Sequence, residues 1–159
     1  MLYRNDDINK YTDLNTFIKI HDCFKQYRKI HTCVIEMDGL WDSKGIWYLL
    51  ATEPYIEIGL HGWMHKDYSK MRKKEIIKNI EMSVEYWHRH ILEGFGKVIP
   101  ITTFYPPWNR ISPELSSACS ILGMKLDNRS QLPEVFNFHW WEFINGRNLE
   151  RLIEQLKKP

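Results

Sequence analysis

The stretch YIEIGLHGWMH, residues 55–65, joins a predicted strand to two histidines that are four residues apart. Its first part is rich in apolar residues, which is typical of a buried β-strand over residues 55–60. On a helical turn, side chains at the spacing of His61 and His65 point to the same side. Two neutral imidazoles, a carboxylate and an open water position form a common catalytic metal set. Such a pair also occurs in structural or surface roles.

Apolar runs of this kind alternate with amphipathic stretches along the chain. The pattern predicts strands over residues 2–4, 32–37, 55–60, 101–105, 124–126 and 135–138. It predicts helices over residues 14–24, 46–50, 76–91, 112–122 and 149–156. Ser69 is a candidate cap for the third helix, which Gly94 and Gly96 end, and Pro106-Pro107 stops the fourth strand.

Strands that alternate with helices indicate βαβ units and a parallel sheet. About six or seven strands are too few for a full eight-stranded barrel. We therefore expect an α/β fold in the form of a small, incomplete or distorted (β/α) barrel. An open doubly wound sheet is the alternative. The chain has no internal repeat, low-complexity tract or flexible linker, which predicts a single domain over residues 1–159.

The composition argues against several classes of protein. Of 159 residues, 43% are hydrophobic and 26% are charged, which is globular rather than disordered. The net charge of +2 gives no reason to expect a nucleic-acid partner, and no apolar run approaches the roughly 20 residues of a membrane span. Cys23, Cys33 and Cys119 form no close pair, as suits a reducing compartment. Residues 1–10 do not resemble a signal peptide, so we expect a cytoplasmic protein, with action outside the cell left open.

Polar side chains follow the predicted strands at the points where the strands end. In parallel α/β folds these carboxyl ends meet at one edge of the sheet, where functional groups collect. The residues in question are Asp6, Asp7, Asp38, His61, His65, Trp108, Asn109, Asp127 and His139. Their positions predict one functional site at this edge. The histidines without such a pattern, interpreted as core-edge or surface residues, are His21, His31, His88 and His90.

Asp6 and Asp7 are adjacent, and an acidic pair of this kind can simply cap a following helix. On extended backbone, neighbouring side chains point to opposite sides. One carboxylate can then bind a metal ion while the other faces the attacking water. Two consecutive residues would in this way supply a metal ligand and a general base.

Several tryptophans lie near the predicted strand ends, namely Trp41, Trp63, Trp108, Trp140 and Trp141. Flat rings in such places can stack on sugar faces, and core packing is the alternative for each of them. Trp63 and Trp108 lie inside candidate site motifs rather than on apolar stripes. We therefore predict that at least one of these two lines an open cleft beside the metal.

Four motifs, in this order, resemble the NodB-like polysaccharide deacetylase family. Residues 4–8, RNDDI, resemble its Asp-Asp motif, and residues 57–65, EIGLHGWMH, its His-x-x-x-His motif. Residues 104–109, FYPPWN, are similar to its proline-rich third motif. Residues 135–139, VFNFH, resemble the strand that carries the catalytic histidine. The resemblance covers nearly the whole chain.

The resemblance implies a role for each matching residue. Asp7, His61 and His65 would bind a divalent metal, usually zinc in this family. Asp6 would be the base that deprotonates the attacking water. His139 would protonate the leaving amine.

The third motif would supply the substrate side of the site. A backbone N–H near Trp108 would help to hold the oxyanion, and Asp127 is a candidate to tune His139. The expected substrate contacts are Trp63, Trp108, Asn109 and Tyr105.

Two departures from the family pattern affect these expectations. The third motif of the family carries an arginine that orients the base. Here that position is Tyr105, which leaves Arg110 or Arg129 as candidate substitutes. The chain is also short for the family, which favours a small glycoside or short oligomer as substrate.

The leading interpretation is a metal-dependent hydrolase that removes N-acetyl groups from an amino-sugar glycan or oligosaccharide. A non-catalytic sugar- or metal-binding module on the same scaffold is one alternative. A hydrolase of another amide or ester is a second, because function depends on the site and not on the fold.

Overall fold

Six parallel β-strands alternate with five α-helices over residues 1–129 and 132–158, which the computed structural model describes. The strands are β1 (Leu2–Ile8), β2 (His31–Glu36), β3 (Ile56–Gly62), β4 (Thr103–Phe104), β5 (Lys125–Leu126) and β6 (Val135–His139). The helices are α1 (Leu14–Tyr27), α2 (Lys44–Thr52), α3 (Lys73–Phe95), α4 (Pro113–Ile121) and α5 (Leu149–Leu156). None of the helices in these ranges is long and apolar enough to span a lipid bilayer.

The order of the strands in the sheet is β5-β4-β3-β2-β1-β6. Consecutive strands are neighbours from β1 to β5, and β6 lies beside β1, as it would after a full circuit of a barrel. β5 and β6 form the two edges, so the sheet curls without closing. In the common doubly wound strand orders the first and last strands are not neighbours, whereas β1 and β6 are neighbours here. The predicted incomplete (β/α) barrel is confirmed, and the open doubly wound alternative is wrong.

The core lies between the sheet and the helices that pack around it. The fully buried apolar residues of α1 are Phe17, Ile20 and Phe24. The buried apolar residues of α3 are Ile76, Ile80, Trp87 and Ile91. Each such side chain stabilises the fold by about 1.5–3 kcal/mol relative to an exposed position. This packing holds the ends of the strands at fixed positions.

The strands β1 and β4 differ clearly in extent from the prediction. β1 continues beyond Arg4 to Ile8, because buried polar side chains take the place of the expected apolar run. β4 is limited to Thr103–Phe104, because Pro106-Pro107 soon follows and has no N–H to donate to a ladder.

The start of α3 also differs from the prediction. Ser69 does not cap it, because Ser69 lies in a short 3₁₀ turn that Asp67 caps, and α3 begins at Lys73. The predicted end is confirmed. α3 stops at Phe95, where Gly96 has a left-handed φ of 62° that glycine adopts at little cost.

His31, interpreted from the sequence as a core-edge or surface residue, is instead fully buried in a stack of aromatic rings. Its ring lies 4.3 Å from that of Phe24 and 6.1 Å from that of Phe138. Its Nδ1 lies 3.3 Å from Nδ1 of His21, and its Nε2 lies 3.1 Å from the amide nitrogen of Asn5. Burial lowers the pKa of His31 well below its usual range, and the neighbouring His21 lowers it further.

This burial predicts that stability depends on pH. Below a pH of about 6.5 the unfolded chain binds a proton at His31 that the folded chain does not bind, so stability is lost as pH falls. The free energy of unfolding should decrease by up to about 1.4 kcal/mol per pH unit for each such proton. His31→Phe keeps an aromatic ring in the stack and should reduce this slope. The measurement is urea unfolding at several pH values between about 5 and 8.

Phe138→Leu is the matched control, because it perturbs the same stack without removing a titratable group. Its loss of free energy should be the same at every pH. A slope in His31→Phe equal to that of the wild type would contradict the assignment.

Candidate metal centre

The carboxyl ends of β1, β3 and β6 meet around a pocket with a volume of about 310 Å³. The residues that line it are Asp6, Asp7, His61, His65, Trp108, Asn109, Asn137, His139 and Trp141. Two of the polar residues expected at this edge lie elsewhere. Asp38 pairs with Lys10, and Asp127 binds Arg129.

Asp7, His61 and His65 form the one cluster of potential metal ligands found among residues 1–129 and 132–158. Oδ1 of Asp7 lies 3.0 Å from Nε2 of His61 and 3.3 Å from Nε2 of His65. The ligand atoms of the three residues all lie within 4.8 Å of one another. Two imidazole nitrogens and a carboxylate oxygen at such separations match a catalytic zinc set, which keeps a position for water.

Hydrogen bonding fixes which nitrogen of His61 faces this cluster. The backbone carbonyl of Tyr105 lies 2.6 Å from Nδ1, so that nitrogen carries the proton and Nε2 presents its lone pair to Asp7. Within the described part of the chain, Oδ1 of Asp7 is buried without a hydrogen-bond partner. Two lone pairs that face each other in a buried place favour a positive charge between them, which either a proton or a metal ion can supply. The three residues therefore fit a divalent metal ion.

The charges in the pocket favour the binding of a cation. Burial raises the pKa of Asp7, but the imidazoles of His61, His65 and His139 lower it, and the net direction is down. Burial lowers the pKa of His65. Burial by itself would lower the pKa of His61. The carboxylates of Asp7 and Asp6 outweigh this effect and raise the pKa, because they stabilise positive charge on the imidazole. A proton and a metal ion therefore compete for the same place.

The two histidines are brought together by a turn and not by the helical turn that their spacing suggests. β3 ends at Gly62, whose φ is 103°, and an added Cβ there would overlap the ring of Tyr68. The N–H of Trp63 donates to Oη of Tyr68 at 3.2 Å and to Oδ1 of Asn79 at 3.1 Å. These contacts fold the loop back onto the end of β3.

The two acidic residues do not alternate across an extended strand as the sequence suggests. Asp7 has a φ of 59°, and the pairing of β1 with β2 shifts register between Asn5 and Ile8. This bulge brings Asp7 to the same pocket as Asp6. A candidate metal ligand and a candidate base therefore lie side by side in consecutive residues.

Arg4 is a functional candidate that the motif analysis did not select. Its buried side chain donates from Nε and Nη2 to the two carboxylate oxygens of Asp6, at 2.7 and 2.5 Å. Nη2 also donates to Oδ1 of Asn109 at 2.9 Å, and the guanidinium lies 5.0 Å from the ring centre of Tyr105. A bidentate guanidinium fixes the orientation of a carboxylate. Side chains two residues apart on a strand share a face, so the spacing of Arg4 and Asp6 could have indicated this contact.

The two arginines expected to hold the base have other partners. Arg110 donates to Asp67 at 2.7 Å, and Arg129 donates to Asp127 at 2.6 Å. The Asp6 carboxylate is held instead by Arg4, which lies on the same strand. Both expectations are therefore wrong.

Trp108 and Asn109 border the pocket with strained backbone. Their φ values are 53° and 55°, so two consecutive residues other than glycine are left-handed. Strain of this kind collects at functional sites. Trp108 is 54% exposed, and its ring meets that of His65 edge-on at 4.3 Å. Arg4 occupies the side-chain oxygen of Asn109, which leaves the amide nitrogen for a ligand.

Tyr105 and Trp63, the other two expected substrate contacts, lie outside the lining of this pocket. Tyr105 is 3% exposed, and its ring fills the space beside Gly59, where an added Cβ would not fit. Tyr105 is therefore a packing residue beneath Arg4. Trp63 packs edge-on against Tyr86 and lines a separate cleft along α3. Its contact with a longer ligand stays a prediction.

His139 ends β6 and pairs in register with Asp6 of β1. Its Nε2 lies 3.9 Å from Oδ2 of Asp7, and its Nδ1 lies 3.0 Å from Oε1 of Glu142. Its ring stacks on that of Trp141 at 4.3 Å. The imidazole therefore faces the carboxylate of Asp7 with one nitrogen and the carboxylate of Glu142 with the other.

The expectation that Asp127 tunes His139 is wrong. Among the described residues, the Asp127 carboxylate binds Arg129 and forms neither a hydrogen bond nor an ion pair with His139. Asn137 and Trp141 are pocket residues that the motif analysis did not select. Asn137 lies two residues before His139 on the same strand, and this alternation could have identified it.

Comparison with known proteins gives structural matches alone, since no family model and no curated protein sequence matches the chain. The peptidoglycan deacetylase PdaC of Bacillus subtilis is 18% identical, with a TM-score of 0.70 over 98% of this chain and 81% of its own. A family 4 carbohydrate esterase from Streptomyces lividans, in complex with acetate, is 13% identical. Its TM-score is 0.67 over 98% of this chain and 84% of its own.

A third match is a CE4 family pseudoenzyme from Bacillus anthracis, which is 16% identical, with a TM-score of 0.65 over 98% of this chain and 60% of its own. A mutant of that pseudoenzyme with restored enzymatic activity has a TM-score of 0.70. In the match to a mutant of PdaC, the chain spans 56% of that protein's length. Identities this low establish the fold and not the reaction. The chain has the fold of the NodB-like polysaccharide deacetylases, which is that of the CE4 carbohydrate esterases.

Proposed function

We propose that this chain is a metal-dependent hydrolase that removes N-acetyl groups from an amino-sugar glycan or oligosaccharide. The observation that carries the proposal is one pocket that combines an Asp-His-His set with a further carboxylate and a further imidazole. Amide hydrolysis needs a group that polarises the carbonyl, a base for water and an acid for the leaving amine. The structures with this fold include a peptidoglycan deacetylase and an esterase in complex with acetate, which is the product that deacetylation releases.

Asp7, His61 and His65 would hold the divalent ion, which we propose to be zinc. Two imidazole nitrogens and one carboxylate oxygen are a ligand set typical of catalytic zinc. Such an ion, when bound, polarises the acetyl carbonyl and makes water more acidic.

Other residues of the pocket transfer the protons and stabilise the negative charge. Asp6 accepts a proton from the attacking water while Arg4 holds its carboxylate in place. The water oxygen bonds to the acetyl carbon, and negative charge collects on the carbonyl oxygen. A backbone N–H near Trp108 would donate to that oxygen, and one such donor contributes about 3 kcal/mol in well-studied enzymes. His139 then gives a proton to the amine nitrogen as the C–N bond breaks.

The walls of the pocket favour a sugar as the ligand. The side chains of Trp108 and Trp141 are 54% and 42% exposed, beside His65 and His139. Exposed aromatic rings among hydrogen-bonding groups suit the mixed apolar and polar faces of a sugar. A volume of about 310 Å³ is at the lower end for ligand pockets and suits one sugar unit with its acetyl group.

A non-catalytic sugar-binding module is the second candidate function. It is favoured by the pseudoenzyme among the structures with the same fold. Against it, Asp6 has a buried arginine partner and His139 has a carboxylate partner, which a module that only binds sugar would not need. Turnover of an acetylated oligosaccharide distinguishes the two functions.

Purified protein should contain about one divalent ion per chain and release acetate from oligomers of N-acetylglucosamine. Removal of one ligand leaves too few to hold the ion, so His61→Ala and His65→Ala should each lose both the metal and the activity. The measurements are metal content by mass spectrometry and acetate by a coupled assay.

His88→Ala is the matched control, because His88 lies on α3 outside the metal pocket. It should keep the metal and the activity. Metal content unchanged in both ligand variants would contradict the site. Metal binding without acetate release would favour the sugar-binding module.

A further inference from the structure

We propose that Glu142 is the residue that positions His139 as the proton donor. This inference rests on the proposed function and names the partner of its acid. None of the four sequence motifs includes Glu142. The argument comes from the contacts at the end of β6.

One oxygen of Glu142 contacts the same histidine twice. The backbone N–H of His139 donates to Oε1 at 2.8 Å, and the ring nitrogen Nδ1 lies 3.0 Å from it. Glu142 stands three residues after His139, which caps the 3₁₀ segment Trp140–Gly146. A glutamate at this position characteristically binds the capping residue's N–H. The backbone N–H of His139 therefore fixes the position of the Glu142 carboxylate, and this carboxylate fixes the orientation of the His139 ring.

The charge of Glu142 is available to the imidazole. Among residues 1–129 and 132–158, His139 is the one basic group within 4.0 Å of the Glu142 carboxylate. The Asp127 carboxylate, in contrast, is balanced by Arg129 at 2.6 Å and Lys125 at 3.6 Å. Glu142 can therefore balance the positive charge of a protonated ring, in the same way that a carboxylate supports the histidine of a catalytic triad.

The contact also determines which nitrogen delivers the proton. An acceptor at Nδ1 keeps a proton on that nitrogen, so Nε2, 3.9 Å from Oδ2 of Asp7, faces the reaction. The proton on Nε2 passes to the amine nitrogen as the bond between that nitrogen and the acetyl carbon breaks. The electron pair of the bond stays on the nitrogen, and the carbonyl re-forms from the oxyanion. The ring returns to its neutral form with its Nδ1 proton still shared with Glu142.

A proton donor matters most for a poor leaving group. An amine must be protonated to leave, whereas 4-nitrophenolate leaves from 4-nitrophenyl acetate without a proton. Loss of the Glu142 charge should therefore lower kcat for hydrolysis of the amide more than kcat for hydrolysis of the ester. A merely structural defect should affect both substrates equally.

The experiment compares kcat and KM of the wild type and Glu142→Gln on an N-acetylglucosamine oligomer and on 4-nitrophenyl acetate. Glutamine keeps the shape and an acceptor for the backbone N–H of His139, but it removes the negative charge. We expect the ratio of kcat for the amide to kcat for the ester to fall at least about tenfold, part of the 10²–10⁴-fold worth of a positioned acid. KM for the amide should not change. Glu150→Gln is the matched control, since Glu150 is exposed in the first turn of α5, and its ratio should be that of the wild type.

A second comparison tests whether Glu142 acts through His139. In a His139→Ala background, Glu142→Gln should cause no further loss, because the ring through which it acts is gone. An equal fall for both substrates, or a full additional loss in that background, would overturn the inference and leave the proposed function in place. A wild-type protein that hydrolyses neither substrate would overturn both.

Discussion

Asp6→Asn should lower kcat for acetate release by roughly 10²–10⁴-fold, the usual worth of a positioned base. Asparagine has nearly the same shape as aspartate but does not accept a proton from water. The proposed ligands Asp7, His61 and His65 are unchanged, so metal content should stay at about one ion per chain. The measurement is kcat together with metal content in the same preparation.

Asp38→Asn is the matched control for this change. Asp38 follows β2 at the same edge of the sheet, but it pairs with Lys10 and lies outside the lining of the pocket. Its kcat should be that of the wild type. Loss of metal in Asp6→Asn would instead make Asp6 a ligand, and full activity in Asp6→Asn would remove it from the reaction.

Arg4→Met should cause a large loss of stability as well as of activity. It removes the guanidinium and leaves the carboxylate of Asp6, which is 3% exposed, without its counter-charge. Breaking a buried ion pair by removing one partner typically costs about 3–5 kcal/mol. The total free energy of unfolding of a domain is only about 5–15 kcal/mol. The measurement is urea unfolding at neutral pH, with kcat determined where the variant is still folded.

Arg129→Met is the matched control, because Arg129 makes the same bidentate contact with a carboxylate two residues away. The Asp127 carboxylate is itself only 1% exposed, but the Arg129 side chain is 43% exposed and Lys125 remains as a second partner of that carboxylate. The loss of stability should therefore be smaller than in Arg4→Met, because the buried carboxylate keeps a counter-charge. Combining Arg4→Met with Asp6→Asn should recover part of the stability, because no buried charge is then unpaired. Equal losses of stability in the two arginine variants would contradict the importance of leaving a buried carboxylate without a counter-charge.

The fold could be predicted from the sequence because strands and helices alternate with clear apolar patterns. The meeting of Asp7, His61 and His65 follows from the same feature, since parallel strands bring their carboxyl ends to one edge of the sheet. For these three residues, the residue type and the position near the end of a strand are sufficient to predict that they lie close together. That they bind a metal stays a prediction, and so do the roles of the other pocket residues.

Contacts that depend on local backbone irregularities could not be predicted in this way. The left-handed φ of Asp7 arises from a bulge in the pairing of β1 with β2, which no short motif encodes. Tyr105 stands where the family carries an arginine, so the sequence indicated that this arginine is missing. It did not indicate that Arg4, on the same strand as Asp6, contacts the Asp6 carboxylate instead. Glu142 reaches the end of β6 only because a 3₁₀ segment follows directly.

β1 has one neighbour close to it in sequence, β2, and one very distant neighbour, β6. Arg4 and Asn137, which contact each other across β1 and β6, are 133 residues apart. Contacts this distant tend to form late, because a long loop must close first. All three proposed metal ligands precede α3, on β1, on β3 and just after β3. During synthesis on the ribosome, a nascent chain can therefore bring the proposed ligands together before β6, the strand that carries the proposed acid, has emerged.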